Sequence, residues 1–332
     1  MPQDSYLFAV GRIRVKENKL MGQDRIERML DTDSLDDALK VLSESDYGSG
    51  EQVESPYDYE KLLAAELKKV YDFIEEVTPN KELTDLFALQ YDMHNLKSLI
   101  KGHYLGSQED LPLASIGSID LQDLTRAVKA KQYDSIPDYL AQALVKLEET
   151  FEKGFDPHRL DFFLDQLYFK RVFEVLKKHK NPFMRELFVK RVDLTNIRTL
   201  LRVKTIGEDI DFLKNLLIEG GSLDLDSLLE VLEAPIDDLL VMLKESEYID
   251  FIEDGIRAFD SQASLTLYER QMDNYLLNYI KKRKYNPMGM EAIAGYLLAK
   301  ENEIKLVRMI MVGKINKIPK VAIRERLRDL YV

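Results

Sequence analysis

The sequence of 332 residues contains no cysteine and no tryptophan. Without cysteine there are no disulfides, no thiolate metal ligands and no cysteine nucleophile, and a reducing compartment suits such a chain. Histidine is scarce: His94, His103, His158 and His179 are the complete set. None stands in a His-Glu-x-x-His spacing, and none has a cysteine partner for zinc. His94 and His103 are nine residues apart, more than two helical turns, which is poor geometry for shared ligation on one helix. No apolar run approaches the roughly 18 to 20 residues that span a bilayer. The first residues, Met-Pro-Gln-Asp-Ser-Tyr, lack the basic region and apolar stretch of a signal peptide. The expectation is a cytoplasmic chain that is not integral to a membrane.

Catalytic signatures are missing as well. There is no Gly-x-x-x-x-Gly-Lys-Ser/Thr phosphate loop, no Gly-x-Gly-x-x-Gly turn and no Gly-x-Ser-x-Gly elbow. Leu223-Asp224-Leu225-Asp226 lacks the glycine and terminal glutamate of a calcium loop. A non-catalytic protein without cofactor or metal is therefore expected. Basic residues are also in deficit, 47 Lys+Arg against 59 Asp+Glu, a net −12. Phosphate neutralisation supplies much of a nucleic-acid binder's affinity, so this balance argues against that class.

What is present is a soluble, foldable composition, with 45 % hydrophobic and 32 % charged residues, which excludes general disorder. The charge is segregated. Residues 208–260 hold sixteen acidic and three basic side chains, residues 170–204 eleven basic and three acidic, and residues 303–332 eight basic and three acidic. Solvated helix faces explain any one block; three blocks suit surfaces that face different partners.

Apolar residues recur at three- and four-residue spacing. Leu62, Leu63, Leu67, Val70, Phe73 and Ile74 form one stripe, and Leu164, Leu167, Tyr168, Val172, Val175 and Leu176 a second. Leu267, Met272, Leu276, Tyr279 and Ile280 form a third. Each stripe predicts one buried helix face, and no alternating β-branched pattern predicts a strand. Pro79, Pro182, Pro287 and Pro319 fall between the stripes, where proline ends or restarts helices, and Gly48 to Gly50 and Gly220-Gly221 mark loops. The fold class expected is all-α.

The chain also repeats itself. At an offset of 101 residues, Leu86-Phe87 meets Leu187-Phe188, Asp92 meets Asp193 and Asn95 meets Asn196. Leu96-Lys97-Ser98-Leu99-Ile100-Lys101 then meets Ile197-Arg198-Thr199-Leu200-Leu201-Arg202, type for type. Glu303-Ile304-Lys305 is a weaker third copy, with Glu in the place of Asn, and Arg12-Ile13-Arg14 a weaker fourth. A second element alternates with the first: Leu35-Asp36-Asp37 with Tyr47, Leu121-Gln122-Asp123 with Tyr133, and Ile236-Asp237-Asp238 with Tyr248. Its acidic residues suit a helix N-terminus, and its tyrosine suits a buried ring with a wet hydroxyl past the helix end.

The period is too long for tetratricopeptide or HEAT repeats, which run about 34 to 47 residues. Three helical units around a common axis are expected, over residues 1–108, 109–208 and 209–332, the N-terminal helix being a candidate member of the third. Arg12, Arg14, Asn95, Lys97, Asn196, Arg198 and Lys305 are the candidate partner-binding residues, gathered near that axis at helix starts. Two structural alternatives stand beside this: Asn95 and Asn196 as buried capping or interhelical bonds, and Asp92 and Asp193 as internal neutralisers of the cations.

Several of these segments, with Tyr6-Leu-Phe-Ala-Val-Gly-Arg12-Ile-Arg14 before them and Ile323-Arg324-Glu-Arg326-Leu-Arg328 after them, resemble the C subunit of archaeal and bacterial V/A-type rotary ATPases, related to the d subunit of eukaryotic vacuolar ATPases. The resemblance runs from about Tyr6 to Tyr331, and its specificity lies in the order and recurrence of the motifs. It implies a funnel of three similar helical domains. It further implies one copy per complex, monomeric when isolated, between the central rotor shaft and the membrane proteolipid ring on the cytoplasmic face. There it would transmit torque between ATP chemistry and H+ or Na+ transport. A helical scaffold unrelated to the ATPase is the competing reading, and copurification with the shaft and ring separates the two.

Overall fold

The computed structural model describes residues 4–45, 47, 55–106, 111–152 and 154–332. The loop expected at Gly48 to Gly50 lies outside the described residues. Among them there are sixteen α-helices, one short 3-10 turn at Pro56–Asp58 and no strand. In chain order the helices are α1 Asp4–Glu17, α2 Gln23–Asp31, α3 Leu35–Ser43, α4 Tyr59–Val77, α5 Lys81–Leu105, α6 Leu121–Ala130, α7 Asp138–Phe151 and α8 Pro157–His179. They continue as α9 Pro182–Ile206, α10 Ile210–Leu216, α11 Leu225–Glu230, α12 Ile236–Leu243, α13 Ile249–Gln262, α14 Thr266–Lys281, α15 Glu291–Ile315 and α16 Lys320–Arg324.

The punctuation residues act as expected. Pro79 separates α4 from α5, Pro182 opens α9, Pro287 precedes α15 and Pro319 precedes α16. Asn80 caps α5 by accepting from the Leu83 amide at 3.3 Å, and Asn181 caps α9 by accepting from the Met184 amide at 2.9 Å. The α5 helix ends at Gly106, whose φ of 72° lies in the left-handed region that glycine enters without a Cβ clash. The second repeated element starts a helix each time, since α3, α6 and α12 begin at Leu35, Leu121 and Ile236. Ser34 and Asp120 cap the first two through the amides of Asp37 and Gln122.

The chain divides into two units. The larger comprises Met1–Pro79, Glu186–Leu217 and Gly221–Val332. In it α15 is packed by α1, α2, α3, α4 and α14. Its core joins Met21, Ile26, Met29, Leu42 and Leu63 to Ile304, Val307 and Ile310. The α4 stripe is buried as expected, except for a half-buried Leu67. The α14 stripe holds in part: Tyr279 and Ile280 are buried as expected, whereas Leu267, Met272 and Leu276 are half-buried and Tyr268 and Tyr275 turn inward in their place. Tyrosine serves there because its ring fills the core while its hydroxyl reaches a polar partner. For Tyr268 that partner is the Leu194 carbonyl, 2.8 Å away.

The smaller unit comprises Asn80–Arg185 and Ile218–Gly220. Its centre is α5, packed by α6 and α8. Leu164, Tyr168, Val172, Val175 and Leu176 of α8 are buried, and the Tyr168 hydroxyl donates to the Leu86 carbonyl at 3.2 Å. Leu167 is only half-buried, and Phe169 takes the inward place.

Candidate functional site: buried carboxylates on three long helices

The two strong repeat copies and the weaker third fall on α5, α9 and α15, each of 25 residues. At 1.5 Å per residue each is about 37 Å long. Each carries a buried acidic side chain near its middle, and each acid is saturated by donors from its own unit.

On α5 the fully buried Asp92 accepts from the Ser118 amide at 2.9 Å, the Ser118 hydroxyl at 2.5 Å and the Ile119 amide at 3.3 Å. The next residue, Asp120, caps α6, so one carboxylate fixes where the following helix begins. Burial pushes the Asp92 carboxyl up to about 6, against the pull of these hydrogen bonds. One turn on, Asn95 is 2 % exposed, donating to the Ala114 carbonyl at 3.0 Å and accepting from the Ala114 amide at 2.7 Å.

On α9 the same arrangement recurs. Asp193, fully buried, accepts from the Ser222 amide at 2.8 Å, the Ser222 hydroxyl at 2.6 Å and the Leu223 amide at 3.0 Å. Asp224 then caps α11. A further donor is the Tyr248 hydroxyl at 2.7 Å, and its burial beside this carboxylate raises the phenol far above its usual range. A Cβ on Gly117 or on Gly221 would overlap Oδ1 of Asp92 or of Asp193, so close approach requires glycine at both places.

On α15 the chemistry is rearranged. Glu303, at the repeat position of Asn95, accepts from the Met21 amide and the Tyr47 hydroxyl, each at 2.6 Å. Lys300, three residues earlier, stands where the other copies have Asp92 and Asp193. Its ammonium lies 2.8 Å from Glu303 and 2.9 Å from Glu66, and all three side chains are buried. Burial disfavours the Lys300 charge, but the two carboxylates more than offset it and raise the pKa. The segments tied here are N-terminal ones, the start of α2 and the residue past α3.

Of the candidate partner-binding residues, Asn95, Lys97, Asn196, Arg198 and Lys305 lie in the middle of α5, α9 and α15 and not at helix starts, and most of the set have internal partners. Arg12 pairs with Glu76 at 2.5 Å; Arg14 pairs with Glu17 at 2.5 Å and donates to the Lys284 carbonyl. Lys97 pairs with Asp165 at 2.7 Å, and Lys305 pairs with Asp273, which also holds Arg328. Arg198 is half-buried with an unsatisfied Nε, and Asn196 is fully buried. Asp92 and Asp193 do not neutralise the cations; backbone amides and hydroxyls take them instead. The hydroxyls of the two buried tyrosines are not wet either. Those of Tyr47 and Tyr248 donate to buried carboxylates, and that of the half-buried Tyr133 donates to Glu148, 2.5 Å away.

Helical periodicity does not reveal the glycine-serine donors, although Gly117-Ser-Ile-Asp120 and Gly221-Ser-Leu-Asp224 are plain in the chain. The first lies 25 residues after its aspartate and the second 28, so a fixed offset hides them. Among the described residues no three His, Asp or Glu are placed to hold a metal ion, and no helix is long and apolar enough to cross a membrane.

The C subunit of the V-type sodium ATPase of Enterococcus hirae is 25 % identical over 326 residues, covering 96 % of this chain and 97 % of that protein. The C subunit of the A-type ATP synthase of Methanocaldococcus jannaschii is 24 % identical over 348 residues, 98 % of this chain and 86 % of that protein. Its counterpart in Methanosarcina acetivorans is 28 % identical over 341 residues, 97 % and 92 %. The family model described as the ATP synthase (C/AC39) subunit matches residues 9–326. A match of that extent, spanning all three buried carboxylates, makes this chain a member of the ATP synthase (C/AC39) subunit family, the C subunits of V/A-type ATPases.

Proposed function

We propose that the chain is the non-catalytic central-stalk adaptor of a V/A-type rotary ATPase. In this role it joins the rotor shaft to the membrane proteolipid ring and carries torque for H+ or Na+ transport. The observation that carries the reading is the end-to-end likeness to the C subunits of these machines, reinforced by the three long helices. A part that passes torque must not yield internally. Buried carboxylates that pin α5, α9 and α15 to separate chain segments give stiffness, because breaking them leaves uncompensated buried charge. The same recurrence supports three related helical units near residues 1–108, 109–208 and 209–332. In this division the third closes through the N-terminal segments held by Glu303.

Arg12, Arg14, Lys97, Arg198 and Lys305 are the proposed shaft contacts: each keeps some exposure, the partly exposed ion pairs of Arg12, Arg14, Lys97 and Lys305 are weak enough to exchange for a partner's carboxylate, and the Arg198 Nε is unsatisfied. Asn95 and Asn196 are buried, and their part is to hold the helix that presents those cations. The experiment replaces Arg14, Lys97 and Arg198 together by Gln. Loss of shaft binding at an unchanged melting temperature supports the contact; normal affinity and salt dependence removes it. Failure of the wild-type chain to copurify with the shaft and ring would remove the adaptor reading itself.

A further inference from the structure

On helix α1 the outward face is apolar. Ala9, Val10 and Ile13 are buried against the fold. At about 100° per residue, Leu7, Phe8, Gly11 and Val15 fall together on the opposite side. There Phe8 is 66 % and Val15 63 % exposed, Leu7 is exposed too, and a Cβ on Gly11 would meet nothing. A solvated helix normally turns polar residues outward. Here the polar residues flank the apolar stripe and are basic, with Arg14 along one edge and Arg12 and Lys16 along the other. The Arg12 guanidinium lies over both Phe8 and Phe73, and the Lys16 ammonium over Phe73. Beyond that edge a cleft of about 270 Å³ opens, lined by Lys16, Lys19 and Lys69 and by Lys300, the last already held by Glu66 and Glu303, with Phe73 and Tyr296 as walls.

We propose that this face of α1 and the adjoining cleft dock an amphipathic helix of another protein subunit, with acidic residues along the edges of its apolar stripe. The apolar centre and basic rims are complementary to such a helix and to its carboxylates. Gly11 lets the two backbones approach closely at the crossing, and the cleft is a recess that one inserted acidic side chain can reach. A flat anionic bilayer cannot enter that recess. It would also meet Glu76, whose side chain is 61 % exposed beside Arg12. A second copy of this chain would bring the same basic rims against each other. The inference rests on the assembled-subunit reading above and adds the surface and the chemistry of its partner.

The test places the photoreactive p-benzoyl-phenylalanine at position 8 in the complete ATPase. After irradiation the cross-linked segment is identified by mass spectrometry. The expected product joins Phe8 to a helix of a different subunit with Asp or Glu within one turn of the attachment point. In parallel, Lys16→Glu with Lys19→Glu is expected to weaken rebinding of the chain to stripped complex about tenfold, with an unchanged melting temperature. A Lys16→Arg with Lys19→Arg control should restore it. Cross-links only to lipid, to a second copy or to a segment without carboxylates overturn the proposal, as does charge reversal without effect on rebinding. A chain that copurifies with the ATPase but gives no cross-link overturns the docking face alone. A chain absent from the purified ATPase overturns both this and the assembly reading.

Discussion

Gly117 and Gly221 show how a single missing methyl shapes the chain. Each sits against the carboxylate it helps to satisfy, so Gly117→Ala or Gly221→Ala forces Oδ1 of Asp92 or Asp193 away from its donors. Each substitution is expected to lower the unfolding free energy by about 1–3 kcal/mol in urea denaturation, the range for overpacking a filled site. Lys300→Met is expected to cost more, about 3–5 kcal/mol, because it strands Glu66 and Glu303 in the interior. Asp92 also gives a pH signature. Its folded pKa of about 6 exceeds the usual carboxylate value, so the folded state binds the extra proton between about pH 4 and 6. This group's contribution to stability therefore rises as pH falls from 6 toward 4. Wild type should gain stability relative to Asp92→Asn between pH 7 and pH 5, and a constant difference across that range would refute the assignment.

Between elements, the tyrosine past each short helix ties it to a carboxylate elsewhere in its unit. Tyr47→Phe and Tyr248→Phe each remove a donor from a buried acid and should cost about 1.5–3 kcal/mol, the worth of a hydrogen bond to a charged group. Tyr133→Phe should stay within about 1 kcal/mol, since Glu148 is partly exposed and keeps Lys131. Equal losses for all three, measured by thermal melts, would contradict this ranking. The helix starts at Leu35, Leu121 and Ile236 and the type-matched runs on α5 and α9 were legible, because capping and periodicity act over a few residues. The destination of Asp92 and Asp193 was not. Their donors lie across loops of unequal length, and nothing local distinguishes a carboxylate that meets an amide from one that meets a lysine. Tyr279 on α14 was legible, but Tyr268 and Tyr275 escaped for a related reason: a hydropathy stripe favours Leu267 and Leu276 over tyrosines that need a buried acceptor.

At the scale of the whole molecule, nucleotide binding is the property that would most disturb the adaptor reading. A phosphate seeks uncovered amides at a helix N-terminus or several cations around one point. Four helix starts are closed by the chain's own aspartates: Asp120, Asp156, Asp209 and Asp224 each accept from amides of their first turn. A phosphate there would displace a carboxylate and then be repelled by it. The α3 and α5 starts are capped by Ser34 and Asn80. The cleft beside α1 has the cations, but its backbone is helical except at the turn of Lys19, whose amide donates to the Lys16 carbonyl, and Glu66 and Glu303 already share the Lys300 charge. Lysines without amide donors hold phosphate weakly and lose it in salt. Calorimetric titration of the purified chain with Mg-ATP at physiological salt is therefore expected to show no site of micromolar affinity. Weak heat at low salt that disappears in Lys16→Glu with Lys19→Glu would mark the cleft as its source. A micromolar site that survives both the salt and the charge reversal would mean a nucleotide pocket in this chain and would count against a purely mechanical role.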